Sequence, residues 1–168
     1  MMQHYGVPTR LLDWSESPLV AMFFAVEDLD KHPDTDAAIW CLKPVVLNKN
    51  ARISDPEEAQ YIPSFDEPEL DPYKTERLRA SRNDLLPVAT IATRNNPRIQ
   101  AQMGTFTIHH TAKMPIEEVG DKSHVVKYVI PHAARKTLQK ELKLLGLNRF
   151  SLFPELPSVG SILREMMQ

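Results

Sequence analysis

The residues best suited to chemistry lie at the start of the chain, in Gln3-His4-Tyr5-Gly6-Val7-Pro8-Thr9-Arg10-Leu11-Leu12-Asp13-Trp14-Ser15-Glu16-Ser17-Pro18. They stand directly before an apolar run, Leu19 to Leu29, that reads as a helix. Ser15 or Ser17 supplies a hydroxyl cap, and Pro18 suits the first helical turn. The free backbone N–H groups and the dipole of such a helix start favour an anion, so a phosphate could be held there beside Arg10. His4, Tyr5, Thr9, Arg10, Trp14, Ser15 and Ser17 are therefore the candidate ligand-binding residues. A structural reading stays open beside that one: Arg10 pairs with Asp13, His4 and Trp14 pack, and a serine merely caps the helix.

Other familiar chemistry is missing. The sequence has no glycine-lysine phosphate loop, no GxGxxG, no GxSxG elbow, no HExxH helix and no calcium loop. Its one cysteine, Cys41, excludes an internal disulfide and a cysteine-based zinc site. Cys41 falls in a predicted buried strand, which makes it an inert core thiol in expectation rather than a nucleophile. His109 and His110 are neighbours in another predicted strand and point to opposite faces, which argues against their sharing a metal. No metal site is expected.

The elements that position these residues must be short, because 14 of the 168 residues are proline, against an average of ~5%. The chain opens in turn-forming residues with no lead-in element, which predicts a missing front end. The helix from Leu19 carries Leu19, Val20, Met22, Phe23, Phe24 and Val26 around most of its circumference, so burial on several sides is expected. Ala37 to Leu42, closed by Pro44, reads as a central strand. Ser54 to Tyr73 holds seven acids, four prolines and no basic residue, a long acidic excursion with little reason to order itself. It either lies on the surface, partly neutralised by Lys74, Arg77, Arg79 and Arg82, or forms a mobile lid.

Strands follow at Pro87 to Thr93, Gly104 to His110 and His124 to Ile130, each rich in β-branched or aromatic residues. His132 to Leu145 is an amphipathic helix with Ala134, Leu138, Leu142 and Leu145 on one face, and Gly146 is its stop. A bent apolar segment at Phe150 to Pro157 leads into a final short helix that buries Ile162, Leu163 and Met166. There is no internal repeat. Mixed order without regular alternation predicts an α+β fold: one domain over residues 1–168, with a small mixed or antiparallel sheet flanked by helices.

Composition bounds the partners. A chain of 168 residues and 19.2 kDa, 42% hydrophobic and 25% charged, suits one soluble domain. A net charge of -2 offers no global attraction for nucleic acid, so any such role would rest on the local cluster Lys74, Arg77, Arg79 and Arg82. The longest apolar stretch, Pro18 to Val26, is about half the ~20 residues of a spanning helix, so no membrane segment and a cytoplasmic location are expected.

The string QHYGVPTRLLDWSESPLVAMFFA resembles the signature of the bacterial FRG domain, a family named for a Phe-Arg-Gly motif in its first strand. Two further blocks extend the resemblance. Arg98-Ile99-Gln100-Ala101-Gln102-Met103-Gly104-Thr105-Phe106 is similar to the family's Arg-Ile pair followed by Gln-x-Gly-x-Phe, and Leu152-Phe153-Pro154-Glu155-Leu156 to its Leu-Phe-Pro-acidic-Leu turn. The Phe-Arg-Gly strand itself is absent, which points to a truncated product, a late start or a fragment. The family's layout is similar to that of ADP-ribosyltransferases, where a first-strand Arg or His holds NAD, a Ser/Thr/Tyr segment leads into a helix, and a later Glu or Gln completes the site. By that analogy Ser15-Glu16-Ser17 stand for the second element and Gln102 for the third, which makes Gln102 the candidate catalytic residue and NAD the candidate substrate.

Breaking a nicotinamide-ribose bond puts positive charge on the sugar. A site then needs a pyrophosphate anchor, an aromatic surface for nicotinamide and an acceptor for a ribose hydroxyl. Arg10 with the helix start at Ser17, Tyr5 or Trp14, and Gln102 could supply the three. Gln102 lacks the charge of a Glu, so catalysis through it would be weaker or limited to binding, and it could equally satisfy a backbone group at a strand edge. Three readings follow: NAD-dependent ADP-ribosyl transfer or NAD hydrolysis; a non-catalytic module within bacterial defence or mobile-element systems that recognises a nucleotide, nucleic acid or protein; and a truncated, inactive remnant that self-associates through an uncovered sheet edge.

Overall fold

The computed structural model describes residues 9–29, 31–78, 84–111 and 114–154. In chain order the elements are β1 (Leu11–Ser15), α1 (Pro18–Glu27), β2 (Ala37–Leu42), α2 (Pro44–Asn50), α3 (Thr75–Leu78), β3 (Val88–Thr90), α4 (Pro97–Ala101), β4 (Gly104–Ile108), β5 (Val125–Ile130), α5 (His132–Leu144) and α6 (Arg149–Leu152). Short 3-10 turns lie at Pro68–Tyr73 and Ile116–Glu118. Helices and small sheets in this mixed order make an α+β fold, as the sequence predicts. One sheet has the order β1-β4-β3, and β2 pairs with β5 in a second.

Two compact units are described one at a time. The first takes the described residues of Met1–Trp14, Leu42–Thr93 and Thr105–Val126. Here β3 and β4 run antiparallel with Val88 opposite Ile108, Ala89 opposite Thr107 and Thr90 opposite Phe106. Val88 and Ile108 form a core with Ile53, Leu70 and Tyr73, while Ala89 packs with Leu47, Ile116 and Val119 beside the half-buried Trp14. The outer edge of β3 is closed by α2: the Ala89 N–H donates to Asn48 Oδ1 at 2.7 Å, and Asn48 Nδ2 donates back to Ala89 O at 3.0 Å. Asn48 is fully buried and takes the place of a further strand. Gly120, at φ +56, sits where a Cβ would lie 2.7 Å from Asn50 Nδ2, so only glycine fits that turn.

One expectation fails in this unit and another holds only in part. The opening block contains a strand, β1, where the sequence reads as turn, because Leu11 and Trp14 have core to pack against. The acidic segment is exposed over residues 54–60, as a surface excursion would be, but from Pro63 onward it is anchored in the core. Leu70 and Tyr73 are buried, Pro63 is fully buried, and the Tyr73 hydroxyl donates to Leu86 O at 2.6 Å. A parallel bridge between Ser64 and Ile91, with the Thr90 hydroxyl donating to Pro63 O at 2.9 Å, ties the segment to the end of β3. Three apolar anchors outweigh a high average acidity, because the acids between them can stay wet.

The second unit takes the described residues of Ser15–Cys41, Arg94–Gly104 and Lys127–Gln168. The helix α1 begins as the sequence predicts: Ser17 is the cap, accepting from the Val20 N–H at 3.4 Å, with Pro18 in the first turn. Its Val26 forms a core with Ile130 of β5 and Leu142 of α5, joined by Phe23, Ile39, Ala134 and Leu138. Val20 and Val26, about a third of a turn apart around the helix, are both buried, so burial on more than one side holds, although Leu19 and Phe24 remain about 40% exposed. Likewise Leu145 lies outside α5 and is exposed, because the chain turns at Gly146 with φ +80 before another helical face can form.

The strand β2 is present with its predicted bounds, yet it is not central. It pairs with β5, Ala37 and Ile39 pack against the Val26 cluster, and Leu42 packs against the cluster of Leu47 and Ala89. Cys41 is exposed, not a core thiol, and Trp40 is 40% exposed with the Lys127 ammonium 5.2 Å from its ring. The final helix expected around Ile162, Leu163 and Met166 lies outside the described residues.

Candidate functional site

The candidate residues separate into two local arrangements. In the first unit, Arg10 is half-buried at the entrance to β1. Its guanidinium donates to Tyr73 O at 2.8 Å and to His109 O at 3.0 Å, and its own carbonyl accepts from the His109 N–H at 2.8 Å. Arg10 thus joins β1, the end of β4 and the close of the acidic segment. Trp14 donates its indole N–H to the Thr107 hydroxyl at 3.1 Å, and Thr9 makes a local contact between its hydroxyl and Leu11. His4 and Tyr5 lie outside the described residues.

Burial shapes the titration of this cluster. The Tyr73 phenol is pushed up to about 12 by burial, and the Arg10 guanidinium is lowered by the same desolvation. His109 and His110 are both held below the ordinary histidine value, first by burial and, for His110, next by the nearby Arg10 charge. His110 Nδ1 accepts from the Leu85 N–H at 3.3 Å, and its ring meets Tyr73 edge-on with centroids 5.6 Å apart. His110 is a neutral packing group that joins two loops.

In the second unit the three motif blocks meet at Gln102. The Ser15 hydroxyl donates to Gln102 O at 2.7 Å across 87 residues, and Gln102 Nε2 donates to Leu152 O at 3.0 Å across 50 residues. Ser15 Oγ also accepts from the Ser17 N–H at 3.1 Å, and the Glu16 N–H donates to Met103 O at 3.0 Å. The first block's helix start, the Gln-x-Gly turn after α4 and the Leu-Phe-Pro turn after α6 are thereby fastened together. Beside this clasp, Phe153 has the Arg98 and Arg149 guanidinium carbons at 4.7 Å and 5.3 Å from its ring centroid, within cation-π range. Phe24 of α1 meets the same ring edge-on at 5.9 Å. The serines, Gln102 and the turn carbonyls form a structural hydrogen-bond chain, since each polar group named has a protein partner.

A cleft of about 610 Å³ opens in the same unit between α1, α5 and the turn that follows α5. Phe23, Val26, Leu142 and Leu147 contribute its apolar surface, and Lys140, Lys143 and Arg149 stand around it. Phe23, Val26 and Leu142 were expected from the sequence only as buried helix faces, and none of the cleft residues was singled out as a site residue. Only the i, i+3 spacing of the two lysines hinted at a local positive edge.

The basic cluster is less available than its composition suggests. Lys74 pairs with Asp71, which raises the lysine and lowers the carboxylate, chiefly through their hydrogen bond. Arg77 is exposed, whereas Arg79 and Arg82 lie outside the described residues. Among the described residues no group of three or more histidine, cysteine or acidic side chains could hold a metal, and no helix is long and apolar enough to cross a membrane.

No curated protein and no solved structure matches the chain. A family model does match: the FRG domain, over residues 1–34, a span whose described part holds β1, the Ser15–Ser17 cap and α1. The block around Gln102 and the Leu-Phe-Pro turn fall outside that match, so over its first 34 residues this chain is similar to an FRG domain.

Proposed function

We propose that this chain is an FRG-like recognition module and does not consume NAD. The observation that supports this reading is the engagement of Arg10 and Gln102, the two residues assigned to NAD chemistry. Arg10 donates to two backbone carbonyls and Gln102 Nε2 to a third. Turning Arg10 toward a pyrophosphate would strip Tyr73 O and His109 O of a charged donor, at a cost of about 1.5–3 kcal/mol for each bond. Gln102 carries no charge to steady a cationic sugar and is half-buried against its partner, so it serves the fold. The reading takes nucleotide-sized or acidic partners as its ligand class and leaves the bond chemistry to neighbours.

The competing reading is ADP-ribosyl transfer or NAD hydrolysis through Gln102. Nicotinamide release from NAD at millimolar concentration separates the two. The recognition reading expects no release above buffer. Release that disappears in Gln102→Ala, with the melting temperature unchanged, would establish the enzyme reading instead.

A further inference from the structure

We infer that the cleft between α1 and α5 is a binding site for an amphipathic anion, a ligand with one anionic group on an aromatic or branched apolar body. The inference gives the recognition reading a site and a ligand class. Its volume of about 610 Å³ falls inside the usual range for small-molecule sites, ~300–1,000 Å³. The floor is continuous with the core of the second unit: Val26 and Leu142 are buried there, and Phe23 and Leu147 pack against them.

Charge decides what the rim accepts. Of the two acids of the cleft, Asp28 is bonded to Lys31 at 3.0 Å, and Glu27 Oε1 lies 2.6 Å from the Arg149 guanidinium, in ion-pair range though without a well-directed hydrogen bond. The Lys31 hydrogen bond is the main reason that the Asp28 carboxyl is lowered. Among the described residues neither Lys140 nor Lys143 has a carboxylate partner. Lys140 and Lys143 thus line a cleft with an apolar floor, and neither is ion-paired among the described residues. Lys143 lies in the last turn of α5 and partly answers that helix's carbonyl end, so Lys140 has the freer charge. An apolar body excludes water from the floor while its anionic group takes the lysines, and a cation or neutral ligand gains only the first part.

The probe is anilinonaphthalene sulfonate, titrated by fluorescence and by calorimetry into the full chain, with N-phenylnaphthylamine as the same aromatic body without the sulfonate. Saturable one-to-one binding of the sulfonate is expected, weakened roughly five- to tenfold by the double substitution Lys140→Gln/Lys143→Gln, with the larger share from Lys140. Lys136→Gln, on the same helix but outside the cleft, should leave the affinity unchanged, and melting curves should show every variant folded. Three outcomes overturn the inference: no saturation, equal affinity in the double variant, or equal affinity for the uncharged probe. Nicotinamide release is unaffected by any of them, so this site can fail while the recognition reading stands.

Discussion

The acidic segment 54–73 buries a few anchors deeply while most of its residues stay exposed, whereas the apolar strand β2 is half-buried along most of its length and buries none of its residues fully. The first has seven acids and four prolines, yet its Leu70 is 1% exposed. The second, Ala-Ala-Ile-Trp-Cys-Leu, has no charge at all, yet its Trp40 is 40% exposed. Average polarity does not place a segment. Spacing of a few anchors does, together with the number of neighbours that the local topology can supply. The acidic segment meets a core with room for Leu70 and Tyr73, whereas β2 has β5 beside it and neighbours that leave Trp40 and Cys41 exposed.

The sharpest way to break this contrast is to remove one anchor from each side. Leu70→Ala should cost about 3–5 kcal/mol in urea unfolding, as expected for a large buried side chain in a filled core. A cost under ~1 kcal/mol would return the segment to the surface. Next in size is Arg10→Met, which keeps the stem but leaves Tyr73 O and His109 O without their charged donor, a loss of about 2–4 kcal/mol. Amide exchange should then rise selectively across residues 68–73, and uniform protection would count against Arg10 as the fastener.

A pH effect sharpens the same point. His110 is lowered in the folded state by burial and then by Arg10, with Asp84 opposing. The unfolded chain therefore takes up this proton first, at about pH 6.5, and stability must fall as pH drops below that value. His110→Asn retains an acceptor for the Leu85 N–H and removes the titration, so its stability should decline less steeply between pH 6.5 and 5 than the parent's. Parallel profiles would remove His110 from the account. The smallest effect belongs to β2: Trp40→Ala should cost about 2 kcal/mol, since 40% of the residue is already in water. A loss as large as that for Leu70 would mean that β2 is covered.

Local signals in the sequence were enough to place most elements. The Ser17-Pro18 start of α1, the bounds of β2, the last strand to Ile130 and the stop at Gly146 were all legible, because capping, β-branching and left-handed turns act within a few residues. What stayed hidden depends on distant partners. No pattern in 54–73 says that Arg10 will hold Tyr73 O, and nothing near Ala37–Leu42 says how many strands will flank it. The candidate site shows the same division. Ser15, Ser17 and Gln102, drawn from separate blocks, do come together, but only the fold reveals that they spend polar groups on each other and on Leu152 O. Asn48, which closes an edge of the sheet, has no local signature at all.

The clasp at Gln102 is the centre of this account, and Gln102→Glu tests it most directly. The change keeps the shape, replaces the amide donor facing Leu152 O with a carboxylate, and supplies the charge that a transferase would use. Thermal unfolding at pH 8, measured alongside nicotinamide release, should show a drop of about 3–8 °C, from the lost donor and the new repulsion, with no NAD turnover. An unchanged melting temperature together with new or faster NAD turnover would contradict the account and make Gln102 a catalytic position.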